Sequence, residues 1–162
     1  KCEELRRFHK GDVINPEKTV IVGARSIDPG ERENLKYSGV TIFTTEDIKK
    51  EGTKAIMEKA WQIASHKTKS VHVSYDLDVI DPDDAPGVSI PEFDGISTKE
   101  AIEICDNIIE NFDKISSFDL VELNPLRDVN RKTEQIGLNI LAKVIKKVEE
   151  LPDKKIEIEE YF

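Results

Sequence analysis

The chain has 162 residues, 24 Lys and Arg against 33 Asp and Glu, three His, two Cys and a formal net charge of −9. That length fits one ordinary domain, which buries a proper core without disulfide or metal staples, so Cys2 and Cys105 need not form a framework. The acidic balance and the lack of a clustered basic patch exclude a nucleic-acid or anionic-membrane surface, and no stretch approaches the roughly 20 apolar residues of a membrane span. Cationic small molecules or metal ions are the more natural partners.

Lys1 is not an initiator Met, and the opening residues KCEELRRFHK read like the middle of a helix, so a fragment is expected. They hold no apolar run that could serve as a signal peptide, and the cytoplasm is the expected compartment. Turn signals then divide the chain into short apolar runs alternating with amphipathic stretches, the rhythm of βα units and a parallel sheet. Residues 19–24 (TVIVGA) and 40–43 (VTIF) predict the first two strands. Residues 47–67 predict a helix with Ile48, Ala55, Ile56, Ala60, Ile63 and Ala64 at helical spacing, Thr44 or Thr45 placed to cap it and Gly52 interrupting it. Residues 70–75 (SVHVSY) predict a third strand.

The longest stretch without a secondary-structure signal follows, residues 76–96, rich in Pro and carboxylates yet apolar throughout. A loop of that length at the carboxyl end of a strand is where an open α/β sheet binds ligands. Ser97 and Glu100 then form a capping box for a helix running through Ala101, Ile102, Ile104, Ile108 and Ile109. Residues 118–123 (FDLVEL) predict the fourth strand, and residues 133–151 a last helix that Pro152 stops. The tail IEIEEYF suits an edge strand or a solvated end. No repeat, linker or low-complexity segment divides the chain.

Asp76 and Asp78 stand two apart where an apolar strand runs out, so in extended backbone their carboxylates project to one side, within reach of one ion or two adjacent ions. Two carboxylates that close repel unless a cation compensates, although strand-end aspartates also cap turns. An Asp-Pro turn at Asp81 and Pro82 accounts for Asp81 without metal. His72, in the strand at the parity of Ser74 and Asp76, reads as a sheet-face residue more than a ligand.

Ser74-Tyr75-Asp76-Leu77-Asp78, Asp81-Pro82 and Ala85-Pro86-Gly87 together resemble the manganese-binding signature of the ureohydrolase superfamily, which contains arginases, agmatinases and formiminoglutamases. The resemblance implies a three-layer α/β/α sandwich with a mainly parallel sheet, of which residues 1–162 form the C-terminal portion of a single domain. It also implies two Mn²⁺ per subunit, with Asp76 bridging both ions and Asp78 holding one, and assembly as a trimer or hexamer. Asp119-Leu120-Val121-Glu122-Leu123-Asn124-Pro125 is similar to the family's strand-end pattern, which implies that Glu122 holds the substrate guanidinium. Residues 23–31, Gly-Ala-Arg-Ser-Ile-Asp-Pro-Gly-Glu, resemble an arginase segment in which Asp28 and Glu31 would recognise the substrate's α-amino group. The same residues also suit an Asp-Pro-Gly turn with Glu31 in the first turn of a helix.

The implied reaction is hydrolysis of a guanidino substrate, most naturally arginine to ornithine and urea, by metal-activated hydroxide rather than by a catalytic side chain of this segment. Ser26 stands where the family has Asp, and Val88-Ser89-Ile90-Pro91-Glu92-Phe93-Asp94-Gly95 replaces a Gly-Thr-rich loop, which leaves substrate identity open among arginine, agmatine and formiminoglutamate. The family's His-containing metal segments are not in the chain. Two carboxylates are too few for a dinuclear cluster, so the 162 residues alone are expected to be inactive. The rival outside catalysis is an arginase-like binding module without metal. A nucleotide-binding domain is disfavoured because no Gly-rich phosphate loop follows any strand.

Overall fold

The computed structural model of the chain describes residues 11 and 13–152. Among them β1 (Val20–Ala24) is followed by α1 (Pro29–Lys36), β2 (Thr41–Thr44), α2 (Thr45–Glu51), α3 (Thr53–Ala64), β3 (Val71–Asp76), α4 (Thr98–Glu110), β4 (Ile115–Val121) and α5 (Lys132–Glu149). The architecture is α/β with parallel pairing, as the alternation of short apolar runs and amphipathic stretches predicts. Strands β1 and β2 form one parallel pair and β3 and β4 another, so the described residues hold two two-stranded sheets.

One core joins them. Val22, Phe43, Val71, Val73, Phe118 and Leu120 pack from the strands against Ile48 of α2, Ile56, Met57 and Trp61 of α3, Ile104, Cys105 and Ile108 of α4, and Ile136 and Ile140 of α5. Because side chains alternate along a strand, Ile21, His72, Ser74 and Ser117 fall on the other faces and are exposed. Polar ties fix the helices in place. The Trp61 indole N–H donates to Asn107 Oδ1 at 2.8 Å and the Tyr75 hydroxyl to the Ala101 carbonyl at 2.8 Å, anchoring α4 to α3 and to β3. Burial, with Asp106 beside it, pushes the Cys105 thiol up to about 11, so this cysteine is a small core residue and not a nucleophile.

Three local departures have physical causes. The single helix expected over 47–67 is two, because Gly52 takes φ 88° and ψ 149°, outside helical space, and serves as the end of α2 and the start of α3. Thr44 caps α2 in a reciprocal box with Asp47. Helix α1 buries no residue, so no apolar stripe marked it in the sequence; its Asp28–Glu31 capping box is what specifies it. Strand β4 spans Ile115–Val121 and not the predicted 118–123, because the exposed serines Ser116 and Ser117 dilute the apolar run that would have marked its start. The tail after Pro152, His9 and Cys2 lie outside the described residues. No helix among the described residues is long and apolar enough to cross a membrane.

Candidate active site

Parallel strands carry their carboxyl ends to one edge, and the register of β3 with β4 sets Asp76 opposite Val121. Glu122, the first residue beyond β4, therefore lies beside the end of β3 that carries Asp76 and, two residues on, Asp78. Asp78 is not in extended backbone as the sequence suggests. Residues Leu77–Val79 form a single 3-10 turn, and Asp76 Oδ1 accepts the Asp78 amide at 2.9 Å. A turn thus brings the two aspartates together. The turn-capping role of Asp76 occupies one carboxylate oxygen and leaves the other outside that bond.

Asp76 is half-buried. Burial pushes its carboxyl above the ordinary aspartate value and the neighbouring Asp78 carboxylate adds to the push, while the Asp78 amide and the Arg25 guanidinium offset part of it. A carboxylate made costly in this way, beside a second one, gains most from a bound cation.

Glu122 is exposed and has φ 66°, a conformation that a side chain with a Cβ rarely adopts. Such strain persists only where the surroundings enforce it, and it clusters at functional positions. The β4 ladder holds one side of Glu122, and on the other the Asn124 amide donates to the Gly87 carbonyl at 2.7 Å. That bond fastens the Glu122 segment to the loop that follows Asp78.

The loop is ordered from its base. Ile80 and Ile96 form an isolated parallel bridge, and Asp81 accepts the Gly95 amide through Oδ2 at 3.1 Å and the Asp83 amide through Oδ1 at 3.0 Å. Asp84 accepts the amide and hydroxyl of Thr98 at 2.8 and 3.0 Å. Asp81 and Asp84 are therefore turn and helix-start acceptors, as the Asp-Pro turn predicts for the first of them. His72 sits on the exposed sheet face, with Nδ1 2.7 Å from Ser117 Oγ and Nε2 3.2 Å from Asp119 Oδ2, while Ser74 Oγ donates to Asp119 Oδ1 at 2.5 Å. It is a sheet-face residue, as its parity indicates.

Strand β1 delivers its own end to the same edge. Gly23 has φ 87°, and a Cβ there would stand 2.3 Å from Val79 Cγ2, so glycine allows β1 to approach the Asp78 turn closely. Two residues later Arg25 donates through Nη2 to the carbonyls of Asp78 and Glu92 and through Nε to that of Phe93. Asp28 and Glu31 follow in a capping box at the start of α1. Asp28 Oδ1 accepts the amides of Gly30 and Glu31 at 2.6 and 2.9 Å, and Glu31 Oε2 accepts the Asp28 amide at 3.1 Å. Both are exposed, and each keeps one oxygen outside the box.

Residues 2–146 match the model of the family described as "Arginase family". The chain belongs to the arginase family. It is 37% identical over 131 residues to an arginase of Brevibacillus brevis, covering 81% of this chain and 44% of that protein. Among solved structures it resembles the arginase of Bacillus subtilis with a TM-score of 0.80 at 35% identity, over 88% of this chain and 50% of that one. An Entamoeba histolytica arginase solved in complex with L-ornithine gives a TM-score of 0.74 at 30% identity, over 81% and 44% of the two chains. The chain thus spans about half the length of the relatives it matches.

In this arginase-family chain the candidate donors suit a hard divalent ion in kind, being carboxylate oxygens with one half-buried and unfavourably charged. In number they fall short, since no group of three or more His, Cys, Asp or Glu side chains that could hold an ion converges among the described residues. Sequence reasoning gave Arg25 no role, although it stands inside the quoted Gly-Ala-Arg segment. It also missed Asp128, which accepts the amides of Thr133 and Glu134 at the start of α5 at 3.1 and 2.9 Å. A lone Arg in an acidic segment and an Asp shortly before a helix are the signals that could have found them.

Proposed function

We propose that the protein carrying this chain is a Mn²⁺-dependent ureohydrolase that converts arginine and water to ornithine and urea. Family membership supports the reaction class, and the observation that carries the assignment to these residues is the register that brings Asp76 and Glu122 to one edge. Asp76 and Asp78 would hold the metal, with the remaining donors supplied from outside the described residues. Bound divalent ions would supply Lewis-acid activation of water for attack on the guanidino carbon.

The chain's own residues then bind and orient. Glu122 pairs with the planar guanidinium through two parallel hydrogen bonds, which fixes the face presented to the nucleophile. Its strained backbone keeps the carboxylate from relaxing away from that pose. The free oxygens of Asp28 and Glu31 take the substrate's α-ammonium, selecting an amino acid over a simple amine. The same reading carries a trimeric or hexameric assembly and a cytoplasmic compartment.

The test is product release by the protein that carries this chain, loaded with Mn²⁺ and offered arginine, agmatine and formiminoglutamate in parallel. Urea and ornithine from arginine, in preference to products from the other two, is the expected result. No hydrolysis of any of the three would reject the reading.

A further inference from the structure

The charge of Arg25 reaches the Asp76 carboxylate, yet its guanidinium is spent on main-chain oxygens. Nη2 reaches the carbonyl of Asp78 and, at 2.9 Å, that of Glu92, while Nε lies 3.2 Å from the Phe93 carbonyl and 3.3 Å from that of Glu92. A rigid planar fork with five donors can hold several acceptors in a fixed arrangement, whereas an ammonium on a flexible stem cannot. Three separate pieces of chain meet on this one group: the end of β1, the turn that carries Asp78, and the far limb of the 81–95 loop.

We propose that Arg25 is a positioning residue for the divalent-metal carboxylates, its guanidinium strapping the far limb of the loop to the backbone of Asp78 and so fixing where Asp76 and Asp78 stand. The inference rests on the reading of these aspartates as metal ligands and names the group that orients them. The turn at Leu77–Val79 is only one helical turn long, and its ends are tied by the Ile80 amide to the Leu77 carbonyl at 3.3 Å and by the Ile96 amide to the Val79 carbonyl at 3.0 Å, which leaves the Asp78 carbonyl between them to Arg25. Asp76 caps that turn through the Asp78 amide, and Arg25 takes the carbonyl of the same residue, so the peptide groups on both sides of Asp78 are held. Gly23 supports the arrangement by letting β1 come close enough for the side chain two residues on to reach across. Beyond the strap, the loop limb has a weaker tie of its own from Lys49 Nζ to the Asp94 carbonyl at 3.3 Å, so removing Arg25 would free the limb without unfolding the loop's base.

Residues that orient metal ligands typically cost about 10–100-fold in metal affinity when lost. The experiment titrates Mn²⁺ into the metal-free protein that carries this chain, following free Mn²⁺ by electron paramagnetic resonance, for the wild type, Asp76→Asn, Arg25→Ala, Arg25→Lys and the core variant Ile140→Val. Wild type should bind, Asp76→Asn should lose binding, and Arg25→Ala and Arg25→Lys should each weaken it by about tenfold or more. Ile140→Val should lower thermal stability without moving the affinity, which separates a positioning effect from general destabilisation. Should Arg25→Ala fail to fold, Arg25→Lys carries the test. Unchanged affinity in the Arg25 variants, or full recovery with Lys, overturns the strap while leaving the metal assignment intact. Wild type and Asp76→Asn binding alike would instead overturn the metal reading, and the strap with it.

Discussion

Asp28 caps α1 through Oδ1, and the proposed function gives its other oxygen to the substrate's ammonium. Asn caps helices about as well as Asp but carries no charge. Asp28→Asn is therefore expected to keep the protein's stability while raising the KM for arginine by about 10–150-fold, the range of one lost hydrogen bond to a charged group at about 1.5–3 kcal/mol. Asp28→Ala should raise KM as much and also cost about 1 kcal/mol of stability by removing the cap. Steady-state kinetics paired with urea unfolding of both variants separates the two roles, and an unchanged KM in Asp28→Asn would remove the residue from the substrate site. Glu122 offers the opposite trade. With φ 66° it stores strain that glycine does not feel, so Glu122→Gly should raise unfolding free energy by up to about 1 kcal/mol while kcat/KM falls by orders of magnitude. A variant that is less stable as well as inactive would mean that the carboxylate is a structural group. At this scale the sequence showed which residue types stood at the strand ends. It did not show that Asp78 lies in a turn, because spacing alone cannot distinguish an extended Asp-x-Asp from one closed by a hydrogen bond to its own backbone.

Helices were most legible where two signals coincided. The Ser97–Glu100 capping box and the apolar stripe behind it gave α4 its start at Thr98, and the structure forms that box, with the Ser97 amide donating to Glu100 Oε2 at 2.8 Å. Helix α5 lacks such a signal at its N-cap, Arg131, which has a left-handed backbone and no side-chain cap. Asp128 does the work from three residues further back, accepting the amides of Thr133 and Glu134, while Thr133 Oγ1 accepts the Gly87 amide at 2.7 Å and so ties α5 to the site loop. Burial of Asp128 alone would raise its carboxyl, and the hydrogen bonds from Glu134, Thr133 and Val129 outweigh that, holding it below the ordinary value of 3.8. A carboxyl depressed in the fold contributes stability that is present above its unfolded value and lost as pH falls through the depressed one. Asp128→Ala is thus expected to cost about 1 kcal/mol at pH 7, as cap removals do, with the deficit shrinking once the pH drops below 3.8. Urea midpoints across that range check it; a deficit that grows with acidity would have the sign wrong.

For the whole molecule, periodicity announced the alternation of strands and helices and a parallel sheet but not which strands would pair. Among the described residues each parallel pair has two members, and the face bearing His72, Ser74 and Ser117 is exposed, whereas parallel sheets are ordinarily covered on both sides. The chain also covers 44% of the Brevibacillus brevis arginase, and among the described residues Asp76 and Asp78 are the proposed metal donors. These observations have one consequence in common. On the reading proposed above, in which Glu122, Asp28 and Glu31 orient the substrate and Asp76 and Asp78 hold metal, the remaining donors would come from outside the described residues, and the 162 residues alone should bind Mn²⁺ weakly and release no urea from arginine. The comparison is between this segment and the longest natural protein that contains it, at equal concentration and saturating Mn²⁺, with urea measured over hours. Turnover by the segment that disappears in Asp76→Asn would show that Asp76 and Asp78 need no partners from outside, and the division of labour proposed for the site would fall.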